Sequence, residues 1–431
     1  FFFKQKTAYE IKECDWSSDV CSSDLGPGTR MGALLRRYWH PIAARDEMTD
    51  KWTKRVRILG EDLVLYKTRA GKYGLIEESC PHRRASFFHG IPTQDGIRCM
   101  YHGWEFDCTG TCVDMPFEKG RHGLAGKKIA DAYPVEELGG MLFTYMGPAP
   151  APQLPRFAEY TWANCVRSIG RHDIPCNWLQ CMENSADPVH TEWLHGQLHE
   201  FRHEKEGVKT AIAHKHDRIA FDEFAHGLVK RRLYVGQSET AEDWTVGHPI
   251  VFPNILLVGS GGGLWKAHTF QIRVPIDDTN TAHWWYHAYV PPEGTKPRDE
   301  YLNRAPYYEP MLKTPAGEYD LEMIDAQDIM AWVTQGAIAD RTRENLAASD
   351  TGIVAYRRML MRELEKIERG EDPIGTIRDP AKNGPIALPI EKGKNMLSDG
   401  FASYLTRMAI QHSPVREELV RLFTPRREAA E

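Results

Sequence analysis

Two short apolar runs, Asp62–Tyr66 and Tyr73–Ile76, flank the polar tetrapeptide Arg69-Ala70-Gly71-Lys72, which predicts a β-hairpin. Further short strands and Gly-rich turns follow as far as Met141–Tyr145, so this part reads as all-β. The stretch Gly147-Pro-Ala-Pro-Ala-Pro152, with Pro155 close behind, is a stiff connector and the expected domain boundary. Past it the period changes. Asp173–His195 carries a helical pattern and Phe201–Val290 reads as successive strands, clearest at Ile255–Val258 and His283–Val290. Glu318–Ala337 and Ile353–Glu368 have amphipathic helical spacing, the second closed by Gly370 and Pro373. Strands followed by packing helices imply an α+β fold. No internal repeat is visible.

Composition narrows the function classes. Lys plus Arg number 54 against 60 Asp plus Glu, with no basic run, which argues against nucleic acid as a partner. No apolar stretch approaches the roughly 18 residues of a membrane span. The segment 1–25 is set aside. Within it, Asp15–Leu25 (DWSSDVCSSDL) and Lys4–Ile11 resemble the reading-frame translation of a sequencing-library adapter, and the native chain is expected to begin near Gly26. Of nine cysteines, Cys14 and Cys21 fall in that segment. Cys108, Cys112, Cys165, Cys176 and Cys181 form no evident disulfide framework, as expected in a reducing cytoplasm.

Cys80-Pro-His82 and, sixteen residues on, Cys99-Met-Tyr-His102 carry the first candidate chemistry. A structural zinc site usually pairs Cys with Cys and His with His. Here each short pair mixes one thiolate with one imidazole, which suits a Rieske-type 2Fe–2S cluster with two unlike irons. A second constellation, Asp187-x-x-His190-x-x-x-x-His195, supplies two imidazoles and a carboxylate. Two His and one carboxylate on one face of an iron make the facial triad of non-haem Fe(II) oxygenases, with positions open for dioxygen. His190 and His195 are five apart, about 140° around an ideal helix, so the helix must end, bend or bulge between them. Spacing alone leaves the carboxylate open among Asp187, Asp325, Asp328, Asp340 and Asp350. Trp244, His248, Phe252, Asn254, His283, Trp285, Arg232 and Lys266 are pocket candidates that pattern alone does not assign.

The segments CPHRRASFFHG, CMYHGWEFD, NWLQCMENSADPVHTEWLH and QDIMAWVTQG together resemble the oxygenase α subunits of Rieske non-haem iron ring-hydroxylating systems, closest to the phthalate 4,5-dioxygenase-like branch. The resemblance covers essentially everything after Gly26. It implies a Rieske domain over 26–147 and a catalytic domain over 148–431, the latter a helix-grip (START-like) antiparallel sheet around a long C-terminal helix. It implies Cys80, His82, Cys99 and His102 as cluster ligands, and His190, His195 and Asp328 as ligands of a mononuclear Fe(II). Asp187 would bridge His102 of a neighbouring subunit to His190, with Asn184 close to that bridge. The implied partners are O2, a small aromatic substrate, and a flavin/2Fe–2S reductase, with or without a ferredoxin, that supplies NAD(P)H electrons. The implied assembly is a homotrimer or a multiple of one. The expected reaction is hydroxylation of an aromatic, carboxylated substrate, with cis-dihydroxylation first. Monooxygenation or O-demethylation is the alternative, and a Rieske electron-transfer protein without catalysis stands third.

Overall fold

The computed structural model describes residues 24–118, 123–205, 207, 213–260, 266–391 and 405–423. Residues 1–23 of the segment set aside lie outside these. Leu25, at its edge, is fully buried, and its N–H donates to Asp278 Oδ1.

The predicted hairpin is present as Glu61–Lys67 and Tyr73–Glu77, joined in one four-stranded sheet with Thr53–Ile58 and Ala132–Tyr133. A second small sheet of four strands spans Ile91 to Asp114. Between them lies a separate core of Val64, Tyr66, Ile76, Phe87, Ile97 and Phe106, which also holds Cys80 and Cys99. Trp39–Ala44 and Val135–Leu138 flank Met141–Tyr145 in a third sheet, which packs toward the large one.

The large sheet has eight strands in the order His216–Phe224, Gly227–Tyr234, His248–Val251, Ile255–Ser260, Lys266–Asp277, Asn280–Val290, Val166–Ile174, Tyr307–Tyr308. All neighbours are antiparallel except the last pair. Its two longest strands are buried at nearly every position, because both faces are covered. Tyr160 and Phe143 pack toward Phe270 and Tyr286 on one face. Gln271, Arg273 and Trp285 point the other way, where Gln271 and Trp285 donate to Asp325 on a helix.

Three helices cover that second face: α1 (Trp178–Ser185), α3 (Ile324–Val333) and α4 (Thr351–Glu368), with α2 (Leu198–Lys205) between the first two in sequence. The α+β expectation and the sheet-and-helix grip hold. Several boundaries move. Asp173 belongs to a strand, and helix starts only at Trp178, where the Asn177 side chain caps it by accepting from Leu179 N–H at 3.0 Å. The helix stops before Asp187-Pro188, since the residue ahead of a proline disfavours helical geometry. Phe201–Lys205 is helix rather than strand, and strand begins at His216. The 318–337 helix shrinks to α3, because Asp320 turns the chain by accepting from Glu322 N–H. α4 is not the last helix: Arg416–Phe423 packs Leu419, Leu422 and Phe423 on Val166, Ala267 and Tyr289. Among the described residues, no helix is long and apolar enough to cross a membrane.

Candidate metal centres

Cys80 and Cys99 begin two loops of the same shape. In each, the N–H four residues on donates to the Cys carbonyl (Arg84 to Cys80, 2.8 Å; Gly103 to Cys99, 3.0 Å). The Cys N–H in turn donates to the carbonyl five residues on (Ala85, 2.9 Å; Trp104, 2.8 Å). The fourth residue has positive φ in both loops, +60° at Arg84 and +77° at Gly103. Glycine takes that conformation freely and arginine at some cost. Repeated turns thus present the two sulfurs side by side.

Both thiols are buried, and burial first of all, with Cys99 adjacent, pushes Cys80 up to about 12. The His82 and Arg83 N–H groups point at the Cys80 sulfur and favour its thiolate. The His82 and His102 rings lie 4.5 Å apart, and His82 stacks on Trp104 at 4.4 Å and 4°. Two buried soft sulfurs, whose thiolates disfavour one another until a cation arrives, and two imidazoles in ring contact with each other are a donor set that fits a Rieske 2Fe–2S cluster. The sulfurs sit inside, while His102 is exposed beside Met100 and Tyr101, so the imidazole edge meets solvent.

The second centre is built where α1 ends. Asp187 Oδ1 accepts from the N–H groups of Val189 (2.8 Å) and His190 (3.4 Å), nucleating the next turn. That turn opens a π-helix, Thr191–Gln197. Its i→i+5 bonding removes the 140° conflict, and the His190 and His195 rings meet edge-to-face at 5.2 Å. Asp328 of α3 faces both. Its Oδ1 is 3.2 Å from His195 Nε2 and 3.6 Å from His190 Nε2, and the three donor atoms lie within 4.8 Å of one another. Of the other acidic candidates, Asp325 is taken by Trp285 Nε1 (2.8 Å) and Ala409 N–H (2.6 Å). Asp340 and Asp350 cap local turns. Asp187 Oδ2 approaches only the far nitrogen of His190, Nδ1, at 3.5 Å. Asn184 Nδ2 reaches Asp328 Oδ1 at 3.4 Å.

Electrostatics agree with a cation site. Burial pushes Asp328 up, but His195 and His190 outweigh it and hold the carboxyl below its usual range. Burial lowers His195, yet Asp328 beside it leaves it raised. Asp187 behaves like Asp328: burial opposes its ionisation, and His190 and the Val189 N–H win. Among the described residues His190 Nδ1 has no hydrogen-bond partner, since the 3.5 Å to Asp187 is too long for one. Two imidazoles and a carboxylate converging by their outer atoms fit a mononuclear iron.

Gln327 is the residue that pattern reasoning missed. His195 Nδ1 donates to its Oε1 at 2.7 Å, and its Nε2 donates to the Leu321 carbonyl at 2.6 Å. The tautomer with a bare Nε2 toward Asp328 is thereby fixed. Its position next to Asp328 was the available signal.

Residues 38–134 match the Rieske [2Fe-2S] domain, and residues 307–386 match the family described as LigXa C-terminal domain like. The 5,5'-dehydrodivanillate O-demethylase oxygenase subunit of Sphingobium sp. (strain NBRC 103272 / SYK-6) is 44% identical over 372 residues, covering 85% of this chain and 84% of its own. The phthalate 4,5-dioxygenase oxygenase subunit of Pseudomonas putida is 31% identical over 382 residues, covering 80% of this chain and 85% of its own. Among solved structures, Pseudomonas putida CBB5 NdmA superposes with a TM-score of 0.59 at 19% identity, over 80% of this chain and 94% of that one, a likeness of fold. With a Rieske domain match and relatives of that identity spanning most of the chain, the protein belongs to the Rieske non-haem iron oxygenases, as an oxygenase subunit of the phthalate 4,5-dioxygenase-like branch.

Proposed function

We propose that this oxygenase subunit O-demethylates an aromatic acid bearing a methoxy group. The observation that carries the choice is the 44% identity to an O-demethylase subunit across 85% of the chain. The second reading, cis-dihydroxylation of an aromatic carboxylate, stood first on sequence alone. It is supported by the 31% identity to the phthalate enzyme. Both reactions use the same donor sets, and both consume one O2 and two electrons. In the first, the aryl methyl ether, O2, two electrons and two protons give a phenol, formaldehyde and water. In the second, both oxygens and two hydrogens enter the ring.

The assignment of residues is part of the proposal. Cys80, His82, Cys99 and His102 would hold the cluster within the 26–147 domain. His190, His195 and Asp328 would hold the iron within the 148–431 domain. When bound, these groups supply single-electron transfer and dioxygen activation respectively. The chain supplies placement. Gln327 keeps the His195 proton on Nδ1, and Asp187 Oδ2 lies 3.5 Å from His190 Nδ1, placed to favour the tautomer protonated there. The Asp187 side chain is 23% accessible, and His102 is exposed. Those exposures support the bridge reading, in which Asp187 of one subunit meets His102 of the next in a homotrimeric ring. Electrons would come from a separate flavin/2Fe–2S reductase. The compartment would be a reducing cytoplasm, since all seven cysteines among the described residues are free thiols.

A single turnover of reduced, iron-replete protein with O2 on methoxybenzoate-like and phthalate-like acids separates the readings. Formaldehyde with a demethylated phenol is the expected result. A product heavier by two oxygens and two hydrogens, without formaldehyde, would replace the first reading by the second.

A further inference from the structure

A second group of metal-type donors stands one helical turn beyond His195. His199 and His203 are four apart on α2, and their ring centroids are 3.9 Å apart. Glu322, on the approach to α3, completes a set in which one ligand atom from each residue lies within 4.8 Å of the others. Two of the three are already held from behind. His203 Nδ1 donates to the His199 carbonyl at 3.0 Å, which leaves Nε2 bare, 3.9 Å from Glu322 Oε2. Arg202 grips the other carboxylate oxygen, Oε1, through Nε (2.9 Å) and Nη2 (2.8 Å). His199 is only 7% exposed, and among the described residues its Nδ1 has no hydrogen-bond partner to offset the cost of burial.

We propose that His199, His203 and Glu322 form a second metal site, separate from the iron centre, that takes a borderline divalent ion of the zinc type. Two imidazoles four apart on one helix face, with a carboxylate across from them, supply three of zinc's four positions, and water supplies the fourth. The backing contacts on His203 and Glu322 are of the kind that orient metal ligands. Arg202 adds positive charge beside the cluster, and Arg407 acts electrostatically on His199, so the affinity falls below that of an all-acidic site. The site clasps the two segments that carry the iron donors. α2 continues the π-helix bearing His195, and Glu322 follows Leu321, whose carbonyl holds Gln327.

The test is zinc binding by the iron-loaded holoenzyme, titrated against a colorimetric chelator, with iron, zinc and cluster absorbance measured on the same sample. Wild type is expected to take one zinc per chain with iron and cluster unchanged. His203→Ala and Glu322→Gln should each weaken that zinc about tenfold or more while keeping iron and cluster, which also certifies their folding. Should His203→Ala lose the cluster, His203→Gln with Glu322→Gln carries the test. Zinc uptake matched by iron loss would place zinc in the iron site and overturn the proposal. So would uptake undiminished in the variants, or none in wild type.

Discussion

At the residue scale, the iron centre depends on side chains that never touch the metal position. Gln327 holds His195 by Nδ1, so Gln327→Leu should leave the cluster spectrum intact and weaken mononuclear iron about 10–100-fold, read as iron per chain after dialysis against a chelator. His40 shows the same logic applied to stability. It is fully buried, its Nε2 donates to the Leu35 carbonyl at 2.8 Å, and Asn254 Nδ2 lies 3.4 Å from its Nδ1, a setting for the neutral ring. Burial, with Arg36 adding to it, lowers its pKa to about 4, although the Leu35 bond opposes. A histidine depressed in the folded state contributes its stability fully above the unfolded value, about 6.5, and loses it as pH falls toward 4. The loss amounts to about 3 kcal/mol for this group at about 1.4 kcal/mol per pH unit. Thermal melts should therefore fall more steeply between pH 6.5 and 4 in wild type than in His40→Gln. Equal slopes would remove His40 as a cause.

At the element scale, one contact fixes the end of α1 and hence Asp187. Gly352 in the first turn of α4 faces the Ala186 carbonyl and the Phe221 ring so closely that any Cβ would collide with both. Gly352→Ala must push α4 away from the Ala186–Asp187 corner. It should lower the melting temperature by the equivalent of about 1–3 kcal/mol, the usual cost of overpacking. It should also slow turnover more than it depletes either metal, because Asp187 moves while the ligands stay. Unchanged turnover in a folded, metal-replete variant would detach α4 from the bridge. The π-helix carries a comparable lesson. A five-residue histidine spacing is useless on an α-helix and productive on a π-turn, and Asp187-Pro188 is the local signal that regular helix stops there.

At the scale of the whole molecule, the question is whether the two centres work within a chain or between chains. Exposed His102 and accessible Asp187 favour contact between neighbours. On the proposed ligand assignment, His102→Ala should leave an iron site without a competent cluster, and Asp328→Ala should leave a cluster without iron. Each variant alone should be inactive. Co-assembled in equal amounts, they should recover about a quarter of wild-type activity, since half the sites hold iron and half of those neighbour an intact cluster in a ring. No recovery in verified mixed trimers would confine the route to one chain.

The sequence by itself pointed to the Cys80/His82 and Cys99/His102 pairs and the His190/His195 pair, and determined the hairpin leading to Cys80, the strand Met141–Tyr145 and the helix ahead of Gly370. These rest on residues close in the chain, where spacing and turn chemistry act directly. Chain-local pattern could not choose among Asp187, Asp325, Asp328, Asp340 and Asp350, because each is an acidic residue in an acceptable local setting. The resemblance pointed to Asp328, and only the tertiary structure shows it alone facing both imidazoles while Asp325 is spent on Trp285 and Ala409. The role of Gln327 and the approach of Asn184 to Asp328 likewise came from contacts between segments more than a hundred residues apart. Such contacts have no period along the chain. They exist only once the sheet has brought α1 and α3 onto one face, with the Thr191–Gln197 π-helix against α3.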